Sequence, residues 1–288
     1  MCDELTADDN RRHLAAAMTR RAFGAGAAAA GAVALLPSPA DAAPIKGRDV
    51  TIATPDGTAD AYFVAPATGK HPGVLVWPDI FGLRPAFRRM ADRLAQSGYA
   101  VLTVNQFYRS TKTPFYTAGQ PFDDAFGAKV GPWRKLLTAD AVTRDGKAFV
   151  HFLDAQREVD SKRGIGTTGY CMGGPMVFRT AAGTPSRVRA GATFHGGGLV
   201  TADADSPHRL VPQMKAHFLI AVAENDDARA PGDKDTLRTA FAAARLPPEI
   251  EVYQGTLHGW CPPDSQVYNA AQADRAWARL LALFGAAL

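Results

Sequence analysis

Ile165-Gly166-Thr167-Thr168-Gly169-Tyr170-Cys171-Met172-Gly173-Gly174 is the stretch that decides the fold of this 288-residue chain. Its first part, Ile165 to Tyr170, reads as a strand, and the segment after Cys171, to about Ala182, reads as a helix. A glycine stands two positions before Cys171 and another two positions after it. That is the Gly-x-nucleophile-x-Gly pattern of a strand-to-helix turn, with cysteine in the nucleophile position. Side chains in place of those glycines would crowd so sharp a turn. The helix beginning at Cys171 would present free N–H groups and a positive dipole end, which favour a thiolate and later an oxyanion. Glycine-rich strand–helix turns also occur as plain structure or as phosphate cradles, so the rest of the chain has to carry the reading.

On both sides of this turn short β-rich runs alternate with amphipathic stretches, the pattern of a mainly parallel sheet with helices on both faces. Val50–Ala53 and Ala59–Val64, joined across Pro55-Asp56-Gly57, read as an opening hairpin. Gly73–Trp77 reads as a buried strand, Phe87–Gln96 as a helix and Tyr99–Val104 as a strand. Ala139–Ala155 reads as a helix, and strands are expected at Ala190–Phe194, Phe218–Val222 and Ile250–Tyr253. Helices are expected at Thr236–Ala244 and Ala270–Ala286. There is no repeat of 20 to 50 residues.

Two loops after strands carry the partners a thiol nucleophile needs. Asn225-Asp226-Asp227 follows the strand Phe218–Val222, and His258 follows Ile250–Tyr253. Taken singly, an Asx cluster is a turn and a loop histidine is ordinary. Nucleophile, then acid, then histidine, each past a strand, is the chain order of the α/β-hydrolase fold. In that arrangement His258 takes the thiol proton, and Asp226 fixes its tautomer and stabilises the imidazolium. Asp227 stays open as the alternative acid.

Asn105 to Leu136 is long, without a clear element, and rich in aromatics, including Phe107, Tyr108, Phe115, Tyr116, Phe122, Phe126 and Trp133. Such an insertion is either a lid or binding loop, or a flap closing the core. Phe107 and Tyr108, together with Trp260 beside His258, are candidate substrate contacts. His195 follows another strand at the same sheet end and either lines the pocket or is structural. No Cys/His spacing resembles a metal site.

From about Asp49 to Leu283 the chain resembles the dienelactone hydrolase family, on Asp79-Ile80-Phe81-Gly82, Gly98-Tyr99, the Gly169–Gly174 turn and His258. The resemblance implies hydrolysis of cyclic and simple esters through a Cys–His–Asp triad, with no cofactor or metal. It also implies an oxyanion hole formed by the N–H groups of Ile80 and Met172. Where the family carries a glutamate thought to gate the resting thiol, this chain has Asp79. Where it carries an arginine that grips the substrate carboxylate, four residues after the histidine, this chain has Pro262. Arg84 and Arg109 are the candidates to replace it.

The first 42 residues read as an address. Thr19-Arg20-Arg21-Ala22-Phe23 precedes an apolar run from Gly24 to Leu36 and an Ala40-Asp41-Ala42 site. Together these form a twin-arginine export signal, too short in its apolar run for a span of about 20 residues. The expectation is transport by the twin-arginine machinery, a periplasmic or extracellular location, and no stable membrane insertion after cleavage. Residues 43–288 then form one hydrolase domain. Loss of five acids and four arginines with the signal takes the net charge from +4 to +5, with basic residues scattered and no stripe for nucleic acid. The mature chain keeps Cys171 and Cys261, which is no disulfide framework, although the two could pair and silence the nucleophile. A monomer acting on a small ester or lactone is expected. The alternatives are an acyltransferase using the same thiol and a non-catalytic secreted binding protein.

Overall fold

The computed structural model describes residues 44–288 apart from Ala118 and Pro121, together with Asn10 and Arg12. Arg20, Arg21 and the apolar run of the export signal lie outside the described residues.

Eight strands form one sheet: β1 (Ile45–Thr54), β2 (Gly57–Pro66), β3 (Gly73–Trp77), β4 (Ala100–Val104), β5 (Ile165–Tyr170), β6 (Val188–Phe194), β7 (His217–Ala223) and β8 (Glu249–Tyr253). Their order is β1-β2-β4-β3-β5-β6-β7-β8. The β1–β2 hairpin and the β2–β4 pair are antiparallel; every other pairing is parallel. β3, β4 and β5 are buried at every position. Buried on both faces, such strands are built mainly of apolar and small residues, because successive side chains point to opposite sides, with Thr103, Thr167 and Thr168 as buried polar exceptions.

The two core clusters show which helices cover which face. α1 (Pro85–Gln96) and α7 (Ala270–Ala287) lie on one side, with Phe87, Leu94, Trp277 and Phe284 packing against Val74, Val76 and Val101. α3 (Ala139–Asp154), α4 (Gly173–Gly183) and α6 (Asp233–Ala243) lie on the other, with Phe149, Phe178 and Phe241 against Leu75, Trp77 and Leu102. Alternate residues of β3 thus serve opposite cores, and the sheet is sandwiched as expected.

Two helices fall where none is expected. α2 (Asp124–Lys135) lies inside the aromatic insertion, and α5 (Glu224–Arg229) begins directly after β7. Gly127, Gly131 and Pro132 weaken the helical pattern of α2. It is started by Asp123, whose carboxylate accepts from Phe126 N at 2.9 Å, and it buries only Phe126 and Val130, one turn apart. Among the described residues no helix is long and apolar enough to cross a membrane.

Candidate active site

The turn at Cys171 shows why its glycines are required. Cys171 has φ 54°, a left-handed conformation costly for a residue with a Cβ. A Cβ on Gly169 would lie 2.2 Å from Gly173 O, and one on Gly173 would lie 2.4 Å from Trp77 O. The backbone is locked from the neighbouring strand as well: Cys171 N donates to Phe194 O at 3.0 Å, and Gly197 N donates to Cys171 O at 3.3 Å.

Met172 caps the N-terminus of α4, and Ile80 lies buried in the loop after β3. Among the described residues nothing accepts from the N–H of either, so two amide donors remain open beside the turn. Asp79 is differently disposed. Its Oδ1 accepts from Phe81 N at 2.9 Å and Arg84 Nη1 at 2.6 Å, and its Oδ2 accepts from Arg84 Nη2 at 2.9 Å. Arg84 is itself only 3% exposed and turns its remaining edge to Asp264, at 2.7 and 2.9 Å. Burial works to lower the guanidinium pKa, but Asp79 and Asp264 override it and hold the charge firmly.

The acid and the base meet at the far side of the same sheet end. Nδ1 of His258 is 2.7 Å from Oδ2 of Asp226, whereas Asp227 is 2.6 Å from Lys234 Nζ. Pairing through Nδ1 places the other ring nitrogen, Nε2, as the one able to take a proton. The start of α5 holds the histidine loop with three consecutive side chains. Glu224 Oε2 accepts from Gly255 N at 2.6 Å, Asn225 Oδ1 from His258 N at 2.8 Å, and Asp226 reaches the ring. Asn10 bridges the same spot, donating to His258 O at 2.8 Å and accepting from Asn225 Nδ2 at 3.0 Å. Glu224 and Asp264 are not among the residues the sequence singles out, and Asn225 stands out there only as a member of the Asn225-Asp226-Asp227 cluster.

The remaining candidates fall in different places. Phe115, Tyr116, Phe122 and Trp133 of the insertion pack with Phe81, Phe126, Val130, Ile80, Met172 and Cys171 in one cluster. Phe107 backs this layer, edge-on to Phe115 at 5.6 Å and tilted against Trp133 at 5.8 Å. Tyr108 and Arg109 do not join it. The Tyr108 hydroxyl donates to Asp145 at 2.8 Å, and Arg109 pairs with Asp145 and Asp56, tying the hairpin turn to α3. Trp260 is fully buried and stacks on Tyr253 at 4.8 Å. His195 lies buried against His258, with ring centroids 5.1 Å apart. Cys261 is a free, buried cysteine, so the Cys171–Cys261 bridge does not form. Burial pushes its thiol pKa well above the usual value.

Known proteins resemble this chain in sequence and in fold. The carboxymethylenebutenolidase of Rhodococcus opacus is 26% identical over 226 residues, covering 75% of this chain and 82% of that protein. The dienelactone hydrolase-like promiscuous phosphotriesterase from metagenomic libraries superposes with a TM-score of 0.69 at 22% identity, over 85% of this chain and 99% of its own. The dienelactone hydrolase of Anabaena variabilis gives a TM-score of 0.59 at 18% identity, over 85% of this chain and 99% of its own. At those identities the structural likeness speaks for the fold. The family is settled by the match of residues 59–288 to the model of the dienelactone hydrolase family. The chain belongs to the dienelactone hydrolase family.

Proposed function

We propose that the chain hydrolyses small neutral carboxylic esters and lactones, with Cys171 as nucleophile, His258 as base and Asp226 as the group that orients the base. Family membership makes it a carboxylic ester hydrolase; the residue roles rest on geometry. The observation that carries them is the 2.7 Å contact of His258 Nδ1 with Asp226 Oδ2, at the sheet end where Cys171 stands at φ 54°.

In the reaction Cys171 gives its thiol proton to His258 Nε2, and the sulfur attacks the ester carbonyl carbon. The carbonyl oxygen becomes an oxyanion that accepts from the open N–H groups of Ile80 and Met172. The C–O bond to the alcohol then breaks, and the leaving oxygen takes the proton from His258. Water, deprotonated by the same imidazole, attacks the acyl-thioester and releases the carboxylic acid and the thiol. Asp226 faces the imidazolium in both half-reactions.

The preference for neutral substrates rests on two features. Arg84 and Arg109 are each already paired with two carboxylates. The aromatic cluster packed around Cys171 offers an apolar wall to an acyl or aryl group.

Turnover of p-nitrophenyl acetate in reducing buffer tests the mechanism. Cys171→Ala abolishes turnover, iodoacetamide inactivates the wild type, and Cys261→Ala remains active; a Cys171→Ala variant with near-wild-type rate rejects the reading. The export signal in residues 1–42 is part of the same proposal. Replacing Arg20 and Arg21 by Lys is expected to keep the activity in the cytoplasm, and unchanged export of that variant rejects it.

A further inference from the structure

Behind the His258 ring the structure gathers a second histidine that the mechanism above does not use. His195 follows β6 at φ 42°, and its N–H donates to Ala221 O at 2.8 Å. The backward bend drives its ring under the site, where it is 1% exposed. It meets His258 edge to face at 5.1 Å and 69°, Trp260 at 6.3 Å and Tyr170 at 6.1 Å. Neither of its ring nitrogens has a partner among the described residues. What His195 presents to His258, Trp260 and Tyr170 is its ring.

We infer that His195 is a positioning residue for His258, bracing the imidazole in the orientation Asp226 sets and giving it an uncharged aromatic neighbour when it becomes imidazolium. This rests on the assignment of His258 as the base. The groups around His195 can be named element by element. Tyr170 faces it from β5, and His258 from the loop after β8. Asp226 and Asp227 from α5, with Asp233 and Lys234 from α6, share a cavity of about 50 Å³ with it. Asp226 is committed to His258, and Lys234 to Asp227. Burial first, and the neighbouring His258 second, hold the His195 pKa well below its usual value, so the ring stays neutral while His258 cycles. A neutral ring attracts a cation held against it, whereas a second imidazolium would repel it.

The left-handed backbone at this position suits Asn as well as His, so His195→Asn removes the ring while keeping the turn. His195→Phe keeps a ring and removes the nitrogens. Both are measured in the full-length protein in reducing buffer, with thermal melts reporting folding. The readouts are kcat, KM and the pH profile of kcat/KM on p-nitrophenyl acetate, with the pH dependence of Cys171 alkylation. His195→Asn is expected to lower kcat about tenfold or more with little change in KM. Its acid limb is expected to move to lower pH by about half a unit, as an imidazolium loses its aromatic support. His195→Phe is expected to recover most of kcat and the wild-type limb. A folded His195→Asn variant with wild-type kcat and profile overturns the inference, as does a folded His195→Phe variant impaired like Asn. If the Asn variant does not fold, His195→Gln serves as the ringless member of the pair. His258→Ala separates the two layers: an active His258→Ala variant rejects the base itself. An inactive His258→Ala beside an unchanged His195→Asn rejects only the brace.

Discussion

Oδ2 of Asp226 stands 2.7 Å from Nδ1 of His258, while the adjacent carboxylate of Asp227 is spent on Lys234. The two acids, indistinguishable by position in the chain, are thereby given different work. Asp226→Asn is expected to lower kcat by on the order of 10²–10⁴-fold, because the amide cannot hold the donor tautomer of the imidazole. Asp227→Asn should stay within a few-fold of wild type. Steady-state kinetics of the two variants checks this, and equal losses would contradict it.

Arg84 is expected to matter for stability before chemistry. Its guanidinium is the shared partner of two carboxylates, one buried and one nearly so. Arg84→Ala leaves both without their counter-charge and should cost about 3–5 kcal/mol in urea unfolding. Asp264→Asn, which leaves Asp79 paired, should cost clearly less. The ordering of these two losses is the check.

Lactones matched except for a carboxylate, free or methyl-esterified, test substrate choice. Without the bidentate grip that an arginine at position 262 would give, about 1.5–3 kcal/mol of charged hydrogen bonding is absent. The methyl ester is therefore expected to have a kcat/KM at least equal to that of the free acid. A strong preference for the acid would mean that Arg84 leaves one of its partners to bind it, and Arg84→Lys would then reduce that preference.

Acid stability should depend on Asp60. Burial works to raise its pKa, but Thr113 Oγ1 at 2.5 Å, Asn105 Nδ2 at 2.9 Å and Thr113 N at 3.0 Å together hold it below the ordinary 3.8. The folded state thus binds this proton less readily than the unfolded one. Its contribution is fully present above the ordinary value and is lost as pH falls through the lowered folded value. Asp60→Asn should lower stability at pH 7 and flatten its decline below about pH 4. Unfolding curves between about pH 2.5 and 7 would show it.

The sheet was legible because its buried strands are short runs of apolar, β-branched and small residues bounded by turn residues. Gly73–Trp77 and Ile165–Tyr170 fall on β3 and β5 without a shift at either end. α2 was not legible, since two glycines and a proline mask a helix held by one cap and one buried face. The spacing that points to Cys171, Asp226 and His258 says which side chains share a sheet end, but not which carboxylate turns inward. That choice is made by α5, whose three successive side chains meet the histidine loop. Arg84 and Arg109 looked alike as cations near aromatics. Only folding shows which acids claim them: nearby Asp79 and distant Asp264 for Arg84, and Asp56 and Asp145 for Arg109.

The ion pair between Arg84 and Asp264 joins residues 180 positions apart. The carboxylate that completes it stands far along the sequence from Arg84, as does the imidazole of His258. A chain interrupted before His258 consequently lacks both the imidazole that Asp226 faces and the carboxylate that clamps Arg84. With His258 as the proposed base, hydrolysis is tied to the closure of these long-range contacts.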